Sequence, residues 1–251
     1  MKPLSDVISF CDNLTNRRAI ADFPGANNGL QLENNGQVCK IGAAVDAGIV
    51  PFQMAIDAGI DLLIVHHGLF WNTPGSYSGI LYKKLKLAMD NNLAVYSSHL
   101  PLDAHQEFGN NRLLADALGL VPDQWFLPYE GTPIALMARL PMDRDGLKQS
   151  LKAEFGDTVI AIECGSSDPE RVAILTGSGR SALSDLKDAG TDTLITGELR
   201  QEHFNLAQEE GFNLYLCGHY ATERYGVRAL ASRAASEFGL SHQFLPTDCP
   251  L

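Results

Sequence analysis

The sequence predicts an α/β fold, a duplicated α/β unit with mostly parallel sheets and a small α+β insert. Three observations predict it. Short apolar runs alternate with stretches of helical periodicity along most of the chain, the pattern of strands joined by crossover helices. The alternation breaks once, between about residues 122 and 168. Segments of the first half then recur in the second.

The elements read in order as follows. Residues 3–17 form an opening helix, and the Gly- and Asn-rich "FPGANNGLQLENNGQ" is a loop. "VCKIGAAVD" (38–46) is a strand, "PFQMAIDAG" (51–59) a helix, and 61–65 a short buried strand that ends in "HHG". Residues 79–92 are a helix, 93–98 a strand and 110–119 a helix. "PDQWFLPYEGTP" then changes the texture with its prolines and aromatics, leading into "IALMARL", a helix at 143–154 and "DTVIAIE". After that, "RVAILTG", "TDTLITG", "FNLYLCG" and "SHQFLPT" read as strands. "SALSDLKDAG", "ELRQEHFNLAQEEG" and "ATERYGVRALASRAASEFG" read as the helices between them.

The duplication lies in two pairs of segments. "IDAGIDLLIVHHG" (56–68) parallels "KDAGTDTLITGEL" (187–199), and "AVYSSHLPLD" (94–103) parallels "LYLCGHYATE" (214–223). In the second pair His99 falls on His219 and Asp103 on Glu223, both at an offset of 120 residues. The expected organisation is a first α/β half at 1–121, an inserted α+β segment at 122–168 and a second α/β half at 169–251.

Composition excludes several classes. With 45% apolar and 20% charged residues the chain reads as globular, and it has no apolar run long enough to span a bilayer. The N-terminus carries Asp6 and Asp12 where a secretory signal would be apolar. The five cysteines are scattered and show no C-x-x-C spacing, which fits a reducing cytoplasm rather than a disulfide framework. A net charge of −11 disfavours nucleic-acid binding.

Chemistry concentrates after the strands, where open α/β sheets gather ligands. Side chains of adjacent strand residues point to opposite faces. His66 and His67 therefore converge only if the strand has already ended; otherwise one of them is structural. His99 and Asp103 follow one strand, and His219 and Glu223 follow another. The spacing of His219 and Glu223 places both on one helical face. Imidazole with carboxylate and no thiolate suits zinc, iron or manganese. His99 reads either as a ligand or as a group holding one. Lone histidines are more often structural, and His105 and His203 are read so. Glu198 reads as a base near the site or as a solvated residue opening a helix. "TGSGRS" (176–181) reads as an anion cradle or a tight turn, and "LFW" (69–71) as a core or interface anchor.

Four stretches, "IVHHGLFW", "YSSHLPLDAH", "LITGEL" and "LCGHYATERYGVRAL", closely resemble the GTP cyclohydrolase type 2 homolog family. These are dinuclear-metal relatives of the yeast NGG-interacting factor, and the chain is similar to the short bacterial form. The resemblance implies a two-lobed α/β subunit, a toroidal homohexamer and two divalent metal ions per subunit. By motif position the ligands fall on His66, His67, Asp103, His219 and Glu223, with His99 close by. The expected function is metal-dependent hydrolysis of a small nucleotide-like or heterocyclic substrate, with His99 or Glu198 shuttling a proton. The alternative is a non-catalytic protein that handles metal or presents a partner surface.

Overall fold

The computed structural model describes residues 1–72 and 75–251. They fall into two compact units, Met1–Leu102 with Gly226–Asp248 and Asp103–Tyr225 with Cys249–Leu251.

In chain order the first unit carries β1 (Lys2–Pro3), α1 (Leu4–Leu14), β2 (Gly29–Leu32), β3 (Gln37–Val38), β4 (Lys40–Asp46), α2 (Ile49–Asp57), β5 (Leu62–His67), α3 (Gly79–Asp90) and β6 (Ala94–Ser97). Strand β13 (Ser241–Phe244) returns to it near the end of the chain. Its main sheet has the order β13-β4-β5-β6-β2. The first four strands run parallel, and β2 closes the edge antiparallel to β6. Residues 62–66 of the central strand β5 are all buried, as expected for a parallel strand covered on both faces. Phe52 and Ala55 of α2, and Leu85 and Ala88 of α3, repeat at helical spacing and pack against Leu63, Val65 and Val95.

The second unit follows the short helix α4 (Leu100–Asp103) and opens with α5 (Asn110–Ala117). Strands β7 (Val121–Tyr129) and β8 (Thr132–Arg139), helix α6 (Arg144–Phe155) and strands β9 (Ile160–Glu163), β10 (Arg171–Ser178) and β11 (Thr193–Glu198) come next. Helix α7 (Glu202–Glu210), strand β12 (Asn213–Leu216) and the start of helix α8 (His219–Phe238) follow, the helix from Gly226 onward being counted with the first unit. The sheet order is β7-β8-β10-β11-β12-β9. Its central trio β10, β11 and β12 is parallel, and the flanking strands are antiparallel. The strands contributed by residues 122–168 thus share a sheet with those of the second half.

The two larger sheets repeat one design. Each has three consecutive parallel strands, β4-β5-β6 or β10-β11-β12, with an antiparallel strand beside the third. The fold is mixed α/β, with parallel strands in both of the larger sheets.

Two local expectations are corrected first. Strand β5 does not stop at Val65; it runs through both histidines and pairs His67 with Asp46. "SALSDLKDAG" is not a regular α-helix. A 3-10 turn at Arg180–Ala182 leads into further turns of mixed closure, three residues from Asp185 N to the Ala182 carbonyl and four from Ala189 N to the Asp185 carbonyl. Ser184 Oγ donates to Asp185 Oδ1 in the same stretch, the kind of local side-chain bond that competes with helix formation. The proline-rich "PDQWFLPY" lies within strand β7, where the sheet edge tolerates prolines that lack an N–H. Glu130 and Gly131 both have positive φ and join β7 to β8 in a tight hairpin.

Candidate metal centre

In the first unit three histidines gather at the carboxyl ends of neighbouring strands. His66 and His67 end β5, and His99 lies two residues beyond β6. Their ligand atoms lie within 4.8 Å of one another. The His66 and His67 ring centroids are 4.9 Å apart and those of His66 and His99 4.8 Å apart. The adjacent pair therefore converges although the strand continues through it. His66 leans toward β6, where Nδ1 donates to the Ser98 carbonyl at 3.0 Å. His67 leans toward β4, where Nδ1 donates to Asp46 Oδ1 at 2.9 Å.

His99 follows the same rule, with Nδ1 donating to Asp22 Oδ1 at 2.8 Å. Each partner oxygen is an acceptor, so Nδ1 is the donating nitrogen, and in the neutral ring the lone pair then lies on Nε2. Histidines that bind metal through Nε2 are held by oxygen acceptors on Nδ1 in this way. The donor set of the first unit fits a divalent cation.

Asp22 is the most elaborately held of these acceptors. Its carboxylate also accepts from Asn28 Nδ2 at 2.7 Å, from the Leu100 amide at 3.0 Å and from the Phe23 amide at 2.7 Å. Burial pushes its carboxyl up, but the bonds from His99, Asn28 and Phe23 outweigh burial and hold it below the ordinary value.

In the second unit His219 opens α8 and Glu223 follows one turn later, the spacing that places both on one face. His219 Nε2 is 3.1 Å from Glu223 Oε1, and Nδ1 is 3.2 Å from Glu198 Oε1 at the end of β11. Burial alone would lower the His219 pKa. The two carboxylates outweigh burial and raise it to about 9. Glu223 is buried, whereas Glu198 is exposed. The Gly-rich turn read as a possible anion cradle has a different use. Gly177 has φ +65°, and a Cβ there would collide with Glu223 Oε1 and lie 3.1 Å from His219 Nε2. Gly197 is equally confined, since its Cβ would stand 2.7 Å from His219 Cα and 2.8 Å from Thr222 Oγ1. Both glycines let the strands approach the first turn of α8.

Asp103 is buried at the end of α4, where Oδ1 accepts from Asn110 Nδ2 at 2.7 Å. Asn111 Nδ2 binds the Asp103 carbonyl at 3.3 Å, and its Oδ1 accepts from the Thr176 amide. The histidines read as structural hold backbone amides: His105 Nδ1 accepts from Glu107 N, and His203 Nδ1 accepts from Arg200 N.

The sequence reading missed Asp22, Asp46, Asn110 and the Ser98 carbonyl. Asp46 carried a signal, a carboxylate closing a buried strand just as His66 and His67 do. Asp22 carried none, because it sits in a loop and meets His99 across 77 residues.

The sequence pattern of the Duf34/NIF3 family (NGG1p interacting factor 3) matches residues 2–250. The chain belongs to the DUF34/NIF3 family. A family relative from Deinococcus radiodurans, named GTP cyclohydrolase 1 type 2 homolog, is 39% identical over 221 residues, covering 87% of this chain and 84% of its own. A protein of the same name from Archaeoglobus fulgidus is 34% identical over 242 residues, covering 96% of this chain and 97% of its own. Among solved structures, TTHA1606 from Thermus thermophilus superposes with a TM-score of 0.90 at 33% identity, covering 100% of both chains. Membership of the DUF34/NIF3 family accounts for the mixed α/β architecture and agrees with a histidine and glutamate donor set.

Proposed function

We propose that the chain holds two divalent metal ions, zinc, iron or manganese, and hydrolyses a small nucleotide-like or heterocyclic substrate. The ligands in this reading are His66, His67, Asp103, His219 and Glu223. The protein acts in the cytoplasm, as a homohexamer. One observation carries the reading: Nδ1 of His66, of His67 and of His99 is anchored on an oxygen, which orients three Nε2 atoms toward common ground. The name of the curated relatives supports the substrate class.

Two such ions supply Lewis acidity, polarising the bond under attack and lowering the pKa of a water toward neutrality. The work of the chain is placement and proton transfer. Ser98 and Asp46 hold the rings of His66 and His67, and Asn110 holds the Asp103 carboxylate. His99, with Nδ1–H on Asp22, takes and returns a proton at Nε2. Alternatively Glu198, whose exposed carboxylate lies against His219 in the second unit, is the group that shuttles the proton.

Elemental analysis of protein purified without added metal or chelator tests the reading. Close to two equivalents per chain are expected in the wild type, falling in His66→Ala and in Asp103→Asn with the circular dichroism spectrum retained. Metal content unchanged in both variants would remove the centre. A loaded protein is then screened for turnover of nucleotides and cyclic amides.

A further inference from the structure

Two exposed aromatic side chains border the histidine group of the first unit. Phe23 follows Asp22, the residue that holds His99, and its ring centroid lies 5.8 Å from that of His99. Trp71 lies four residues beyond His67, with its ring 5.0 Å from His99 at an interplanar angle of 81° and 6.3 Å from His67. Phe23 is 39% exposed and Trp71 43%. The neighbouring Leu69 and Phe70 pack against the core as the sequence reading expected of "LFW", but Trp71 does not follow them inward.

These rings sit on a braced frame. The Asn72 amide donates to the Gly25 carbonyl at 2.7 Å, and Ala26 bridges Trp71. Gly25 has φ +90°, and a Cβ there would collide with the Asn72 side chain, so the two loops meet where only glycine fits. The Leu69 amide donates to Gln31 Oε1 at 2.6 Å, and a Cβ on Gly68 would collide with that same side chain. Segments 22–31 and 68–72 are thus tied together at several points beside His99.

An exposed indole held rigidly beside polar groups favours a flat, polarisable ligand face over an aliphatic one, because aromatic pairs gain from offset or edge geometry beyond the area they bury. We propose that Phe23 and Trp71 form a shelf that binds a planar heteroaromatic ring, of the purine nucleoside kind, and sets it beside His66, His67 and His99. The shelf deepens the hydrolase reading by naming what holds the substrate ring, and it rests on that reading only for the chemistry that follows binding.

The chain has two tryptophans, Trp71 and Trp125, so Trp125→Phe leaves Trp71 as the only indole reporter. The experiment titrates that variant with guanosine and adenosine, using ribose as the non-aromatic control, both metal-free and with zinc added. Calorimetry on the wild type, Trp71→Leu and Phe23→Ala accompanies it, along with the metal content and solution mass of each. The expected results are quenching of Trp71 by the nucleosides and not by ribose, and affinity weakened roughly 3- to 10-fold in each variant at unchanged metal content. Nucleosides that fail to quench under both conditions, or that bind Trp71→Leu as tightly as the wild type, would overturn the shelf. So would a change of solution mass in Trp71→Leu with no nucleoside binding to the wild type, since the ring would then be a contact between copies of the chain. A wild type that takes up no added zinc, yet whose nucleoside affinity still depends on Trp71, would retain the shelf and dismiss the metal centre.

Discussion

At the scale of single residues, the Asp22–His99 pair has the sharpest consequence. A carboxylate that accepts four hydrogen bonds holds one imidazole in one tautomer, so the proton-exchanging atom is Nε2. Asp22→Asn keeps the side-chain shape and removes the charge, and its amide can offer an N–H to His99 Nδ1. The expected outcome is a change of His99 tautomer in ¹⁵N NMR spectra, with metal content retained and any turnover lowered roughly 10- to 100-fold. Unaltered His99 ring nitrogen shifts would show that Asp22 does not orient the ring.

Among the elements, the approach of β10 to α8 depends on one backbone position. Gly177 combines a left-handed φ with a Cβ direction that runs into Glu223. Gly177→Ala is therefore expected to destabilise the protein by roughly 1–3 kcal/mol in denaturant unfolding, through backbone strain and displacement of the Glu223 carboxylate. Its metal content should fall along with its stability. A variant as stable as the wild type would mean that the turn relaxes without disturbing Glu223. The sequence announced the elements carrying these residues unevenly. Buried parallel strands such as β5 and β11 were legible as continuous apolar runs, and the i, i+4 spacing of His219 and Glu223 announced their meeting. Strand β7 was not legible, because prolines tolerated at a sheet edge look like loop residues when the edge is not yet known. The turns after Gly179 were misread because apolar spacing alone does not say whether hydrogen bonds close at three residues or four. The end of β5 was misplaced for a related reason: two polar residues resemble a terminus, while backbone pairing with β4 carries the strand onward.

For the molecule as a whole, the repeated parallel trio explains why a short sequence correspondence was informative. The offset that placed His99 on His219 and Asp103 on Glu223 joins equivalent strand ends in two sheets of like order. It gave no sign of the supporting shell, which differs between the units: a carbonyl and two aspartates hold Nδ1 in the first, and glutamates face both ring nitrogens in the second. That difference has a pH signature in the metal-free protein. The His219 pKa is raised from 6.5 to about 9 on folding. A group raised in this way adds stability that is fully present below its unfolded pKa and is lost as pH climbs through the folded one. The thermal midpoint of metal-free protein is expected to decline between about pH 6.5 and pH 9, and the decline should shrink in Glu198→Gln, which removes one of the two carboxylates. Identical pH profiles for the two proteins would mean that Glu198 does not sustain the charge on His219.

The oxygen anchors on the three histidines of the first unit also bear on how a cation would arrive. Side chains that must be immobilised by an incoming ligand each surrender rotational freedom worth roughly 0.5–1.5 kcal/mol at that moment. Here the rings of His66, His67 and His99 are already stationary, tethered by the folding of β4, β6 and the Asp22 loop. The ordering penalty falls on folding rather than on capture, so an arriving ion would meet a receptor cast beforehand, and exchanging one ion for another would not need to loosen the protein around it.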